Sequence, residues 1–278
     1  MNIARVFPRF TRATPQDNLS FYGKKEKPGM FLPPIDAVHI SVTFTFDLPH
    51  AEQLAEQWRH VAPVSMGGPA LDDRGGIFIS GRYVKPGYVM TSRGCPGHCW
   101  FCVVPRREGK IRELPVAEGN NILDSNLLAC SDKHIKTVFS MLAFQTMGRP
   151  MFTGGLEAAR LRPWHVDYLR DLHPKEMFFA YDTADDLEPL IEAGKMLRQA
   201  GFTVASHSMR CYVLIGYPGD TMDYAEARLQ QTIQAGFLPM GMLYRDRAGK
   251  RDPQWAIFQR FWARPATVNL EMKRGAEA

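Results

Sequence analysis

Thr91-Ser92-Arg93-Gly94-Cys95-Pro96-Gly97-His98-Cys99-Trp100-Phe101-Cys102 places three of the chain's five cysteines in a CxxxCxxC run. Three thiolates can hold three irons of a [4Fe–4S] cluster, which normally takes four cysteines, so the fourth iron is left open to another ligand. Just upstream, Gly87-Tyr88-Val89-Met90-Thr91 reads as a short buried strand, and the Gly- and Pro-containing run after it reads as a loop at that strand's C-terminal end. Parallel α/β barrels build their active sites at that end. The bland alternative is a Cys3His zinc site with His98. Against it, His98 directly precedes Cys99, which is awkward for one tetrahedral ion, and a second CxxC is absent.

Outward from the cysteines the chain alternates strand-like and helix-like patterns, as a parallel sheet with crossover helices does. Asn121-Ile122-Leu123-Asp124-Ser125-Asn126-Leu127 reads as a second strand, followed by a helix capped by Ser131 with Ile135, Val138, Phe139 and Leu142 on one face. Residues 149–157 form a third strand running into a glycine turn, and Pro163 opens a helix bearing Trp164, Tyr168 and Leu172. Met177-Phe178-Phe179-Ala180-Tyr181-Asp182 is the fourth, with Thr183 capping a helix that Gly201 closes. Residues 211–215 are the fifth, turning through Gly216-Tyr217-Pro218-Gly219-Asp220 into a helix that ends near Gly236, and 237–244 the sixth.

The cysteine run, with Phe101 just before the third cysteine, resembles the signature of radical S-adenosylmethionine (SAM) enzymes. Six strand–helix units resemble that family's partial (β/α)6 barrel, over about residues 88–245. The resemblance implies a [4Fe–4S] cluster on Cys95, Cys99 and Cys102. It implies that SAM chelates the open iron and is cleaved by one electron to methionine and a 5′-deoxyadenosyl radical, which abstracts hydrogen from substrate. It also implies SAM contacts. Asp124, Ser125 and Asn126 stand at the family's second-strand motif, Asp124 facing the SAM ammonium group by a charge-assisted hydrogen bond. Gly154-Gly155-Leu156-Glu157-Ala158-Ala159-Arg160 resembles the third-strand pattern, with Glu157 for the amino or ribose groups and Arg160 for the carboxylate; an ordinary surface ion pair is the other reading of both. Tyr181 and Asp182 are ribose candidates, and Gly216, Tyr217, Pro218 and Gly219 resemble the loop that approaches adenine. Cys130 and Cys211 read as small buried hydrophobes, too few for an auxiliary cluster, so one cluster is expected.

Residues 1–87 read as a small α/β lobe. Within it, 38–46 alternates as a strand, Asp47 and Pro49 start a helix with Leu54, Trp58 and Val61, and 64–69 is a strand-to-turn segment. This stretch resembles a truncated cobalamin-binding lobe, but it lacks the Asp-x-His-x-x-Gly motif, so no cobalamin is expected. The 246–278 segment mixes Arg247, Lys250, Arg251, Arg260 and Arg264 with Trp255, Phe258, Phe261 and Trp262. It reads as a helix packing its rings on the barrel, or as a surface that stacks bases; 272–278 reads as a frayed tail.

At 278 residues with 45% hydrophobic content, the chain can bury one sizeable core and a small extra lobe. Clustered cysteines suit metal in a reducing compartment better than a disulfide framework. No apolar run of about 20 residues is present and the first residues lack a signal-peptide core. A cytoplasmic protein with no membrane partner is therefore expected. A net charge of +5 permits a nucleic-acid substrate without requiring one. The expected partners are SAM, an electron donor such as flavodoxin or ferredoxin, and a substrate left open between RNA or a nucleobase, a peptide and a small metabolite. The rival class is a non-catalytic, metal-stabilised nucleic-acid-binding protein.

Overall fold

The computed structural model describes residues 1–23, 33–246, 248–264, 268 and 271. Arg247 of the basic cluster and the 272–278 tail lie outside the described residues. The N-terminal part is a parallel sheet in the order β2-β1-β3-β4, made of β1 (Ile3–Phe7), β2 (Ser20–Tyr22), β3 (Ala37–Ser41) and β4 (Val64–Gly67), with α1 (Leu48–Trp58) between the last two. The sequence reading had only a β-α-β unit here. It missed β1 because a central strand is covered on both faces and shows no alternation: Ala4, Val6 and Phe7 are all buried, and so is Arg5. Arg5 can be buried because its guanidinium donates to the carbonyls of Gly81 and Arg82 and pairs with Asp17. Those bonds tie the linker toward the second sheet onto the first. α1 buries Ala51, Leu54, Ala55 and Trp58 at helical spacing against this sheet.

The second sheet holds six parallel strands in chain order: β5 (Tyr88–Val89), β8 (Asn121–Ile122), β9 (Met151–Phe152), β10 (Glu176–Ala180), β11 (Met209–Ile215) and β12 (Leu238–Leu243). Between β5 and β8 lie an antiparallel pair, β6 (Ser92–Arg93) with β7 (Arg112–Glu113), and the short α2 (Val104–Glu108). The crossover helices are α3 (Asp132–Phe144), α4 (Pro163–Leu172), α5 (Leu187–Gln199) and α6 (Met222–Gln234). Their caps follow the sequence: Ser131 Oγ accepts from His134 N, and Thr221 Oγ1 from Tyr224 N. The first three strands of this sheet are shorter than the sequence reading had them. Past Val89, Ile122 and Phe152 the chain leaves the ladder and turns into loops, and those loops carry the site.

Alternation along β10 and β11 divides the sheet's two faces. Met177, Phe179, Tyr181, Cys211, Val213 and Ile215 join the core that includes Leu190, Leu197, Leu229 and Ile233 of α5 and α6. On α3, Val138, Phe139 and Leu142 are buried in the same core, about 2 kcal/mol of transfer free energy each. Cys130 and Cys211 are buried, as small hydrophobes. The last helix, α7 (Pro253–Trp262), is capped by Asp252 Oδ1 and bonded to β12 through Gln259 Nε2 to the Gly241 carbonyl at 2.8 Å. Trp262 is buried, and Trp255 and Phe258 pack against the second core, so these rings cover the sheet. Among the described residues, no helix is long and apolar enough to cross a membrane.

Candidate active site

Two buried carboxylates shape the segment that leads into Cys95. Asp124, 1% exposed, accepts from Thr91 N and Thr91 Oγ1 at 2.6 Å and from Ser92 Oγ at 2.7 Å. Glu108 accepts from Gly94 N at 3.0 Å through one oxygen and from the Arg107 guanidinium at 2.7 Å through the other. Gly94 itself stands at φ +87°, where a Cβ would lie 2.3 Å from the Lys110 carbonyl oxygen. Only glycine lets the 109–110 backbone come this close, and that approach lets Cys95 N donate to the Gly109 carbonyl at 3.1 Å. The cysteine loop is thus moulded against α2 and its exit.

Within the loop, Gly97 N donates to Cys95 Sγ at 3.4 Å and Cys102 N to the Cys99 carbonyl at 3.0 Å. A Cβ at Gly97 would lie 3.4 Å from Cys95 Sγ and 3.8 Å from Cys99 Sγ, so the loop folds with these thiols around its glycine. Burial first, and the neighbouring thiols after it, push the Cys99 and Cys102 thiols up. Three mutually repelling thiolates are the donor set that a cationic iron cluster neutralises. Among the described residues, no group of three His, Cys, Asp or Glu side chains is gathered tightly enough for a single ion.

Asn126 and Glu157 bring the second and third loops to the cysteines. Asn126 Nδ2 donates to Glu157 Oε2 at 2.6 Å and lies 3.5 Å from Cys95 Sγ. Asn126 Oδ1 is buried and has no hydrogen-bond partner, an acceptor that costs free energy unless a donor arrives. Gly154 makes the approach possible: a Cβ there would fall 2.3 Å from the Asp124 carbonyl oxygen. Arg160 Nε donates to Glu157 Oε2 at 2.5 Å, both side chains partly exposed, which is the ion pair the sequence reading held as an alternative. Ser125 is exposed.

Strand parity separates Tyr181 from Asp182. Tyr181 faces the helices, its OH donating to Gln231 Oε1 at 2.7 Å, so the ring points away from the cysteine loop. Asp182 takes the opposite side, accepting from Leu214 N at 2.9 Å, and burial pushes its carboxyl up to about 6. Beyond β11, Asp220 Oδ2 accepts from Gly216 N at 2.8 Å and from Arg228 at 2.9 Å. This clamp holds Gly216, Tyr217, Pro218 and Gly219 in place. Tyr217 then meets the Trp100 ring at 5.5 Å, and Trp100 meets Phe101 at 5.4 Å and Tyr244 at 6.0 Å.

Of the sequence candidates, the cysteines, Asn126, Glu157 and Arg160 form one continuous set of contacts, and the Gly216 loop joins through Trp100. Asp124 does not fit the role given to it: its two oxygens are taken by three buried donors, which leaves it to anchor the cysteine loop. Glu108, Asp220, Arg228 and Trp100 were missed. No spacing marks Glu108 and Arg228, since each acts on a backbone distant in sequence, whereas Asp220 closes the turn quoted with Gly216. Trp100 lay in view inside the motif.

No protein-family model matches this chain, and no curated protein sequence matches it. Its fold is shared with solved structures of TsrM, a radical S-adenosylmethionine methyltransferase from Kitasatospora setae. One of these, with cobalamin and a [4Fe–4S] cluster bound, aligns at TM-score 0.62 and 11% identity over 87% of this chain and 74% of that one. A second, with tryptophan substrate and a SAM analogue bound, aligns at TM-score 0.61 and 11% identity over 87% and 72%. The mixed α/β fold with parallel sheets is therefore similar to that of a radical SAM protein. At this identity the likeness is one of fold.

Proposed function

We propose that this protein is a radical SAM enzyme. In this reading the six-stranded sheet of 88–245 is a partial (β/α)6 barrel between the lobe of 1–87 and the 246–278 segment. Cys95, Cys99 and Cys102 hold one [4Fe–4S] cluster, which, when bound together with SAM and supplied with an electron, yields a 5′-deoxyadenosyl radical for hydrogen abstraction. The observation that carries the reading is the unpaired Asn126 Oδ1, buried beside Cys95 and next to the Glu157 carboxylate. An acceptor and an anion side by side against a cluster ligand suit an ammonium group, which has three donors and no acceptor.

The SAM ammonium is accordingly assigned to Asn126 and Glu157, with Ser125 at the loop tip, and its carboxylate to Arg160, which would turn from Glu157 to do so. Asp182 accepts from the ribose hydroxyls. The Gly216–Gly219 loop with Phe101, Tyr217 and Pro218 flanks the adenine. Asp124, Glu108, Asp220 and Arg228 hold these loops, and Tyr181 belongs to the support behind them. A flavodoxin- or ferredoxin-type carrier in the cytoplasm supplies the electron.

TsrM carries cobalamin. In this chain's first sheet the strand order reverses at the C-terminal ends of β1 and β3, a crevice of the kind that takes ligands in open α/β sheets. It holds a cavity of about 60 Å³ whose lining includes Thr11, Thr14, Ser41, Thr43 and the Arg9–Asp47 pair, with no imidazole or thiol to ligate cobalt. The reading therefore keeps cobalamin out. The nucleic-acid-binding alternative loses its main support, because Trp255 and Trp262 pack on the protein.

The test is SAM binding to the anaerobically reconstituted protein. A hydrogen bond to a charged group contributes about 1.5–3 kcal/mol, so Glu157→Gln should weaken SAM roughly 10- to 100-fold with iron content unchanged. Asn126→Leu should do the same. SAM affinity within twofold of wild type in both variants would remove the assignment.

A further inference from the structure

Among the described residues, the sheet face opposite the helices is largely apolar and uncovered at one side. Along β12, Met240 is 38% and Met242 46% exposed, and Tyr244 follows on the same parity, continuing the ladder through Tyr244 N to the Ile215 carbonyl. Met240 is paired in register with Tyr212, whose ring stacks on Phe178 at 4.4 Å. At the top of this row Tyr244 meets Trp100, which is 59% exposed although the loop carrying it is pinned on both sides of the cysteines. Of the charged groups on this face, Arg210 pairs with Glu176 at 3.1 Å at the far end, and Asp182 accepts from Leu214 N and belongs to the ribose assignment above.

Thioethers and aromatic rings are polarisable, and they attract flat π-systems through dispersion and edge-to-face contact. The β12 edge of this face, a wall of methionines and rings apart from Asp182, has no charged group to meet an anion or the hydroxyls of a sugar. It rises to Trp100, the first of the two rings between Cys99 and Cys102. From this placement we infer that the substrate presents a planar aromatic or heteroaromatic ring, which lies on Met240, Met242 and Tyr244 and is stacked under Trp100 at the mouth. The inference rests on the radical SAM reading and deepens it by naming the class of group brought to the cleavage site. Trp100 and Tyr244 act on substrate, whereas the residues assigned to SAM lie on the second, third, fourth and fifth strand ends and, at Phe101, on the cysteine loop.

Such a ring comes from a free aromatic amino acid or from a nucleobase, and two probes separate the sources: L-tryptophan and guanosine. Each is titrated calorimetrically into the reconstituted protein with SAM saturating. One of the two is expected to bind with a dissociation constant of about 1 mM or tighter, an ordinary affinity for a single-ring fragment. Loss of one stacking face costs about 1–3 kcal/mol, so Tyr244→Leu and Trp100→Leu should each weaken that probe roughly 5- to 100-fold, and in Tyr244→Leu SAM affinity and iron content should stay within twofold. Met242→Gln is the second line should either ring variant fail to fold, and it should weaken the probe in the same direction. Binding of neither probe to wild type, or probe affinity within twofold in the variants, overturns the inference. So does an equal loss of SAM affinity, which would mean that these rings hold adenine. A wild-type protein that binds neither iron nor SAM would instead refute the radical SAM reading, and ring binding to the sheet face would still be read in that protein.

Discussion

Replacing Asp124 separates an anchor from a ligand. Its carboxylate, 1% exposed, accepts three hydrogen bonds from Thr91 N, Thr91 Oγ1 and Ser92 Oγ. Asp124→Ala leaves these donors without the acceptor, and a buried unsatisfied donor costs about 1–3 kcal/mol. Three would give roughly 3–9 kcal/mol, but burial raises the Asp124 carboxyl pKa, so removing the carboxylate also relieves a desolvation cost. His134 Nε2, 3.3 Å from Thr91 Oγ1, offers that hydroxyl another partner. A net loss of about 3–5 kcal/mol is expected, which is severe by the standard of single substitutions. The assay is urea denaturation of the apoprotein, paired with iron content after reconstitution. Both should fall, because Thr91 and Ser92 lead directly into the cysteine loop. Apoprotein stability within about 1 kcal/mol of wild type, with full iron and lost SAM binding, would refute the anchoring argument and return Asp124 to the ammonium group.

Gly94→Ala should fold less stably by about 2–4 kcal/mol, since left-handed backbone strain adds to a Cβ contact with the Lys110 carbonyl, and should bind sharply less iron by colorimetric assay. Asp182, with its pKa raised to about 6 by burial, binds more protons in the folded than in the unfolded state between pH 4 and pH 6. Its contribution to stability is therefore fully present at about pH 4 and below and is lost as pH rises through about 6; Asp182→Asn should remove up to roughly 3 kcal/mol of that slope in apoprotein denaturation across this range. Arg228→Met should loosen the Gly216 loop and weaken SAM about tenfold, whereas Arg228→Lys, keeping the bond to Asp220, should recover part of it; equal affinities in all three proteins would show that the clamp does not act on SAM.

Much of the second sheet with its helices was legible because the helices declare themselves: Ser131, Pro163, Thr183 and Thr221 mark starts, and Ile135, Val138, Phe139 and Leu142 repeat at helical spacing. The cysteine run pointed to metal chemistry for the same reason, a dense local pattern of one residue type. What stayed hidden depends on contacts between distant segments. β1 and β2 are short, and a central parallel strand such as Ile3–Phe7 carries no two-residue alternation to detect. The bonds that Thr91 and Ser92 make to Asp124 are hidden, because sequence cannot show that those residues curl back over it. Asn126 and Glu157 become neighbours only through the Gly154 contact. Tyr181 and Asp182 look equivalent in sequence, and only the pairing of Tyr181 with Tyr212 fixes which faces the site.

The most direct test is to reconstitute iron and sulfide into the protein without oxygen, add dithionite and SAM, and measure 5′-deoxyadenosine by mass spectrometry. The account predicts 5′-deoxyadenosine in wild type and none when Cys95, Cys99 or Cys102 is replaced by alanine. A protein that takes up zinc in place of a cluster and forms no 5′-deoxyadenosine would contradict it.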